Sequence, residues 1–316
     1  MESKRTIWLD ADPGIDDAVA FAMAFANRDK LNILGISTVA GNQTSERVTD
    51  NALKLTCFLG AEDIPVVRGA VSPLIREISP AGDIHGKSGL GYCELPPVSK
   101  ELAAENGILY LRDQILAMPA GEKITLVPIG PLTNIALLIK TFPEVMERVE
   151  EIVLMGGAAV GGNVTPTAEF NIWEDPEAAR AVFCSGIPIV MCGLDVTQKC
   201  VLTRNQIRDL RESGKRVQNA YGEMLQFYLD SPSYRGCDGA AIHDAVTVLY
   251  LLHPEMFSGK EKYVEIDCSE GLNRGMTVCD MRKSAIARQG EILVLDDVEL
   301  PAFQKTVLET LEGYDR

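Results

Sequence analysis

Short apolar runs bounded by turn residues alternate with segments of helical periodicity along this chain, and this alternation constrains the fold most. The strand-like runs lie at residues 6–9, 33–39, 66–67, 124–127, 152–154 and 187–191. The helical segments lie at residues 18–27, 46–59, 108–117, 132–140, 176–185, 216–228, 244–253 and 300–314. Short buried strands that alternate with helices are typical of a parallel sheet covered on both faces. We therefore predict an α/β fold with an open, mostly parallel, Rossmann-like sheet.

The length of 316 residues allows one large α/β domain or two smaller ones. The sequence contains no internal repeat, low-complexity tract or clear linker, so we predict a single domain over residues 1–316. The longest irregular stretches, at residues 69–105, 156–174 and 229–242, carry Gly, His, Asn and Glu. Long loops of a compact domain are commonly functional, and we expect the site there and at the strand ends.

The charge balance excludes several classes of function. With 30 basic and 45 acidic side chains, the formal net charge is -15. Such a charge disfavours nucleic-acid phosphates and suits cations or neutral small molecules. Residues 1–5 lead into the first strand without a hydrophobic signal region, and no apolar run is long enough to span a bilayer. We therefore expect a cytoplasmic protein without a nucleic-acid or membrane partner, and its eight scattered cysteines to be buried, reduced thiols.

Four aspartates, Asp10, Asp12, Asp16 and Asp17, lie within eight residues directly after the first predicted strand. Like charges at this density raise one another's pKa, so the cluster is costly unless a cation or polar ligand completes it. The intervening Pro-Gly turn can bring the four carboxylates together at the end of the strand. Hard oxygen ligands suit Ca²⁺ or Mg²⁺ rather than zinc. Helix capping by Asp16 and a dipole interaction of Asp17 would explain only two of the four.

A strand followed by D-x-D also occurs in phosphatases of the haloacid-dehalogenase type. In that alternative the protein is a Mg²⁺-dependent phosphohydrolase with Asp10 as its nucleophile. Pro13 disfavours the alternative, because such enzymes usually carry a small residue at this position.

The stretch D-x-D-P-G-x-D-D at residues 10–17 resembles the fingerprint of the nucleoside hydrolases. Further segments resemble motifs of that family in the expected order, at residues 39–42, 84–86, 130–134, 163, 169–171 and 243–244. The resemblance implies a mixed, mostly parallel sheet with a tightly held Ca²⁺. It also implies hydrolysis of the N-glycosidic bond of ribonucleosides to ribose and free base, by a homodimer or homotetramer.

The resemblance also implies a role for each matching position. The implied metal ligands are Asp12, Asp17, Asp244 and the main-chain carbonyl of Ile129. Asp10 would orient these ligands, and Asn42 would help to order the site. The residues that would bind the ribose hydroxyls are Asp16, Asn163, Glu169 and Asn171. Two apolar side chains, Phe170 and Ile84, would flank the ribose ring or the base.

Cleavage of an N-glycosidic bond passes through an oxocarbenium-like transition state, so the site must activate water and assist the departing base. Asp12, which would contact both metal and water, is the natural general base. Joined to the family pattern, His243 and His85 are placed beside the base, with His243 as leaving-group acid and His85 as partner or base-binding residue. His253 ends an apolar helix, where we expect it to act as a cap.

Base preference should lie in residues 216–238, where the candidates for contact with the base are Tyr221, Gln226, Phe227, Tyr228 and Tyr234. We predict a broad or pyrimidine-leaning hydrolase that takes uridine, cytidine and inosine. An alternative from another class is a non-catalytic Ca²⁺-dependent nucleoside- or sugar-binding protein. The paired histidines argue against it, because binding alone needs no leaving-group acid.

Overall fold

A computed structural model describes residues 4–282 and 292–316 of the chain, so residues 1–3, which the sequence analysis places ahead of the first strand, lie outside the described part. The strands are β1 (Arg5–Ala11), β2 (Leu31–Thr38), β3 (Val66–Arg68), β4 (Ile124–Pro128), β5 (Val149–Met155), β6 (Ile189–Cys192), β7 (Val201–Thr203), β8 (Gly239–Ala241), β9 (Phe257–Lys262), β10 (Val264–Ile266), β11 (Thr277–Cys279) and β12 (Ile292–Val298).

The helices share one role, which is to cover the sheet and close its connections. They are α1 (Ile15–Ala26), α2 (Ser45–Phe58), α3 (Gly82–His85), α4 (Gly107–Ala117), α5 (Thr133–Thr141), α6 (Phe170–Glu174), α7 (Pro176–Phe183), α8 (Leu194–Thr197), α9 (Arg204–Arg211), α10 (Arg216–Asp230), α11 (Ala245–Leu252) and α12 (Leu300–Gly313). Short 3-10 helices span Pro143–Arg148, Pro232–Tyr234 and Pro254–Met256.

Within the described residues, one sheet of eight strands has the order β3-β2-β1-β4-β5-β6-β12-β9. Neighbouring strands are parallel except for the β12–β9 pair, which is antiparallel. The predicted α/β fold with a mostly parallel, mixed sheet is therefore confirmed. The chain proceeds outward from β1 to β3 on one side and from β4 to β6 on the other. The carboxyl ends of β1 and β4 therefore flank the point where the order reverses, which is where such sheets bind ligands.

Strand β1 lies in the interior of the sheet and is buried on both faces. Ile7 and Leu9 belong to the apolar core on one face, and Trp8 belongs to the core on the other. This division follows from the two-residue period of a strand. Helix α1 packs against α11 and α12 and is buried all round, which explains its almost uninterrupted apolar sequence.

Two strands of the sheet, β9 and β12, were not predicted from the sequence. β9 reads FSGKEK and is largely exposed at the edge of the sheet, so it lacks the apolar run that marks a buried strand. β12 does contain an apolar run, but the chain no longer alternates short strands with helices there. The predicted helices all occur, with ends shifted by up to three residues. Helix α9 was also missed, because its sequence RNQIRDLR is mostly polar.

The eight cysteines are free thiols in the structure. Cys93, Cys192 and Cys200 are buried as expected, whereas Cys184 and Cys237 are exposed, so the prediction of burial is wrong for those two. Across residues 4–282 and 292–316, no helix has the length and apolarity that crossing a membrane would require.

Candidate active site

Buried carboxylates gather where β1 gives way to α1. Asp12 lies in the turn that follows β1, Asp16 and Asp17 lie in the first turn of α1, and Asp244 directly precedes α11. Among the described residues, ligand oxygens of Asp16, Asp17 and Asp244 lie within 4.8 Å of one another. Asp12 is outside this group of three, yet close enough that Asp17 and Asp16 raise its pKa. The fold thus brings Asp244, which is far away in the sequence, next to the aspartates that follow β1.

The ionised forms of these carboxyl groups are strongly disfavoured. Burial, assisted by repulsion from Asp16, raises the pKa of Asp17 to about 7. Burial also raises the pKa values of Asp12 and Asp244 well above the ordinary range, and the neighbouring aspartates add to the effect. Several buried like charges of this kind are stable together only when a positive charge compensates them.

The surroundings of the two Asp12 carboxylate oxygens test whether a cation fits the acidic cluster. Its Oδ2 accepts a hydrogen bond of 2.6 Å from the main-chain N–H of Asn42. Its Oδ1 is buried and has no hydrogen-bond partner among the described residues. A Cβ atom on Gly130 would lie 2.5 Å from this Oδ1, so the absence of a side chain there keeps the space around the oxygen open. An orphaned carboxylate oxygen among other hard oxygen donors is suited to Ca²⁺ or Mg²⁺.

Helix capping is performed by Asp17 rather than Asp16. Helix α1 has Gly14 as its N-cap, and Asp17 Oδ2 accepts the main-chain N–H of Gly14 at 2.9 Å. The alternative in which Asp16 caps the helix is therefore wrong, because α1 begins three residues earlier than predicted. Asp16 Oδ1 instead accepts a hydrogen bond of 2.6 Å from the hydroxyl of Tyr228.

Asp10 is enclosed within the sheet. Its Oδ1 accepts hydrogen bonds from the Ser37 hydroxyl of β2 and, at 2.7 Å, from the Asn134 amide of α5. Its side chain is fully buried, and burial raises its pKa to about 7. A phosphatase nucleophile must be accessible and ionised, so this environment weighs against the phosphohydrolase alternative.

Three residues predicted to bind ribose lie at or just before the start of α6, and one of them contacts the segment after β4. Asn171 Nδ2 donates to the Ile129 carbonyl at 3.0 Å, which places this amide beside the predicted main-chain ligand. Glu169 caps α6 and accepts the Gly157 N–H at 2.8 Å, and burial raises its pKa to about 7. Asn163 is exposed and accepts the N–H of Phe170 at 3.0 Å.

His85 lies at the end of α3, against the start of α1. The main-chain N–H of Ile15 donates to His85 Nδ1 at 3.1 Å, so in the neutral ring we assign the proton to Nε2. Burial lowers the pKa of His85 to about 4, which keeps the ring neutral at physiological pH. A Cβ atom on Gly14 would lie 2.7 Å from the imidazole Cε1, so this close approach requires glycine.

His243 lies on the segment between β8 and α11, and both of its ring nitrogens have contacts. Its Nδ1 lies 2.8 Å from Thr197 Oγ1, and its Nε2 lies 3.3 Å from the Tyr234 hydroxyl. Burial lowers the pKa of this ring too. Tyr228 and Tyr234 stack with ring centroids 5.2 Å apart, and the edge of Tyr228 meets His85. The two tyrosines therefore join the two histidines into one cluster.

The remaining candidates for base contact lie elsewhere. Tyr221 is fully buried and donates to the Ala18 carbonyl at 2.8 Å, and the half-buried Gln226 donates through its amide to Asp230. Phe227 packs edge-on against Tyr92. His253 forms the C-cap of α11, as expected. Of the five candidates in residues 216–238, Tyr228 and Tyr234 are those that contact the histidines.

Two supporting residues were not predicted from the sequence. Thr197 contacts His243, and Glu174 accepts the Ser79 N–H at 2.8 Å on the segment that leads to α3. The location of Thr197 shortly after β6, at the carboxyl edge of the sheet, was an available signal. Nothing local in the sequence pairs Glu174 with Ser79.

The carboxyl end of the mostly parallel sheet thus carries a buried acidic cluster, the Asn171 amide and two buried histidines, a set of groups suited to hydrolysis of a polar small molecule. The family model "Inosine-uridine preferring nucleoside hydrolase" matches residues 7–305. The chain is 42% identical over 315 residues to the pyrimidine-specific ribonucleoside hydrolase RihA of Shewanella woodyi, with 99% of each chain covered. The fold is similar to a purine-preferring ribonucleoside hydrolase from Gardnerella vaginalis, with a TM-score of 0.89, 29% identity and coverage of 98% and 99%. This chain belongs to the nucleoside hydrolase family and is an N-ribohydrolase.

Proposed function

We propose that this N-ribohydrolase cleaves pyrimidine ribonucleosides, uridine and cytidine, faster than inosine and adenosine, and that it requires Ca²⁺. The observation that carries the base preference is the 42% identity, over 99% of both chains, to a relative described as pyrimidine-specific. The solved purine-preferring hydrolase is less similar, with 29% identity. The orphaned Asp12 Oδ1 within the buried acidic cluster supports the metal.

The residues that would hold Ca²⁺ are Asp12, Asp17, Asp244 and the Ile129 carbonyl. When bound, Ca²⁺ would acidify a water and orient the vicinal hydroxyls of ribose. Asp12 is the general base, and its carboxylate takes a proton from the attacking water.

Asp16, Asn171, Glu169 and Asn163 bind the ribose hydroxyls in this proposal, and Asn42 and Asp10 hold the cluster in place. Asn42 supports this role through its N–H, which donates to Asp12, and through its amide, which donates to Asp17 Oδ2 at 3.2 Å. The carboxylates around the sugar also favour the positive charge that develops on it in the transition state.

The departing base is assisted by the two histidines. His243 donates a proton to the base, and the neutral His85 donates a hydrogen bond through Nε2–H. Ile84 and Phe170 are proposed to flank the ribose ring or the base.

The base preference is tested by kcat/KM measurements on uridine, cytidine, inosine and adenosine under one set of conditions. We expect uridine and cytidine to exceed both purine nucleosides by at least about tenfold, which corresponds to about 1.4 kcal/mol in transition-state binding. Equal or faster turnover of inosine would contradict the proposed preference.

The proposal includes one catalytic domain per chain in a homodimer or homotetramer. Light scattering at assay concentration is expected to give two or four times the mass of one chain. The mass of a single chain would contradict this part of the proposal.

A further inference from the structure

Thr197 is a buried residue outside the segments that the sequence analysis compares with family motifs, and it reaches the site through a contact with His243. Its side chain is fully buried at the end of α8, and its Oγ1 lies 2.8 Å from His243 Nδ1. We propose that Thr197 is a positioning residue for the reaction, which holds His243 so that Nε2 delivers a proton to the departing base. This inference rests on the proposed role of His243 as leaving-group acid.

The contact is supported by the backbone on both sides. Strands β7 and β8, which follow Thr197 and precede His243, pair with each other in antiparallel register. The N–H of Ile242 donates to the Cys200 carbonyl at 2.9 Å, directly beside this pair. The start of α8 is fixed by the N–H of Leu194, which donates to the Gly157 carbonyl at 2.8 Å. The distance between the hydroxyl and the imidazole is therefore set by rigid elements rather than by a flexible loop.

The two histidines differ in the group that contacts the ring nitrogen Nδ1. A main-chain N–H can only donate, so the contact between Ile15 and His85 requires a lone pair on His85 Nδ1. The imidazolium form of His85 would break that contact. A hydroxyl can accept, so Thr197 tolerates a proton on His243 Nδ1 both before and after Nε2 loses its own. Of the two histidines, His243 is therefore the one whose contact at Nδ1 allows Nε2 to lose and regain a proton.

The chemical step balances with these assignments. The bond between the base nitrogen and the anomeric carbon breaks, and its electron pair goes to the base, which takes the proton from His243 Nε2. The water oxygen forms a bond to the anomeric carbon, and its proton goes to Asp12. His243 is left neutral with Nδ1–H still donating to Thr197, so the ring keeps its orientation for the next turnover.

The test compares two substrates that differ in their need for an acid. Uridine has a poor leaving group, whereas p-nitrophenyl β-D-ribofuranoside releases p-nitrophenolate without protonation. Thr197→Val keeps the branched shape and removes the hydroxyl. We expect it to lower kcat/KM for uridine by about 10- to 100-fold, as for a support of a general acid. Turnover of the p-nitrophenyl riboside should stay within about twofold.

Three further variants control for folding and for the route of the effect. Thr197→Ser retains a hydroxyl and should restore uridine turnover to within about threefold of the wild type. Thr56→Val removes a hydroxyl that is equally buried, but in α2, where it bonds to the Ala52 carbonyl, and should leave both substrates unaffected. The combination of Thr197→Val with His243→Ala should be no slower on uridine than His243→Ala alone.

The outcomes distinguish this inference from the proposed function. Equal losses on the two substrates, or no loss on uridine, would overturn the role of Thr197 while the wild type still cleaved uridine. Additive losses in the double variant would overturn it as well. Failure of the wild type to release ribose from any nucleoside would instead overturn the proposed function.

Discussion

The carboxylate side of the site, around Asp12, Asp16 and Asp17, and the histidine side, around His85 and His243, are built in different ways. The carboxylate side comes largely from one continuous stretch, and main-chain N–H groups fix it, as when Asn42 donates to Asp12 and Gly14 donates to Asp17. The histidine side comes from α3, α8, α10, the 3-10 helix at Pro232–Tyr234 and the loop before α11, and much of it is held by contacts between side chains. The first side is dictated locally, whereas the second depends on tertiary packing.

The Tyr228 hydroxyl contacts both sides. The Tyr228 hydroxyl donates to Asp16 on the carboxylate side at 2.6 Å and lies 3.4 Å from His85 Nδ1 on the histidine side. The hydroxyl has a single proton, and the short contact assigns it to Asp16. Under the proposed roles of Asp16 and His85, this arrangement would couple the position of the ribose to that of the base, so each side can be perturbed and its effect on the other measured.

The largest loss of activity is expected from Asp12→Asn, a substitution on the carboxylate side. The amide keeps the shape of the side chain but cannot take a proton from water. We expect kcat to fall by about 10² to 10⁴, with the fold kept. Ribose release from uridine measures the loss, and circular dichroism checks the fold. Near-normal turnover by the folded variant would show that Asp12 is not the base.

The next largest loss of activity is expected when the substrate lacks a ribose hydroxyl that the carboxylate side is proposed to bind. A site that hydrogen-bonds hydroxyl groups leaves its own buried polar atoms unpaired when the hydroxyl is absent. We expect kcat/KM for 2′-deoxyuridine to be at least about 100-fold lower than for uridine. Comparable turnover of the two nucleosides would remove the assignments of Asp16 and Asn171.

A smaller effect, on the stability of the folded protein, is expected from Glu174. This residue supports the histidine side through the segment that leads to α3. Burial raises the pKa of Glu174 from 4.5 to about 7 in the folded protein. The folded state therefore binds this proton more tightly than the unfolded state, and the contribution to stability is lost as the pH rises from about 4.5 through 7. After allowance for solvent screening, the loss is on the order of 1 kcal/mol, or about 2 °C in Tm.

The matched variant is Glu174→Gln, which can still accept the Ser79 N–H but cannot ionise. Its Tm relative to the wild type should rise by about 2 °C between pH 5 and pH 8, as measured by calorimetry. A Tm difference that is the same at both pH values would show that Glu174 does not titrate in this range.

The sequence predicts these two sides to different extents. The alternation of strands and helices predicts the parallel sheet, and Asp12 and Asp17 are placed correctly at its edge because carboxyl ends of strands meet there. The antiparallel edge strand β9 was missed because an exposed strand needs no apolar pattern. Thr197 and Tyr228 were not assigned their contacts, because these depend on distances between segments far apart in the sequence.

The most direct test of the account measures ribose and uracil released from uridine before chelation, after chelation, and after addition of Ca²⁺. Chelation should reduce the rate by at least about 100-fold, and Ca²⁺ should restore it, because the buried aspartates need a cation to stay ionised together. Equal amounts of ribose and uracil should be released. Undiminished release after complete removal of the metal would contradict the account.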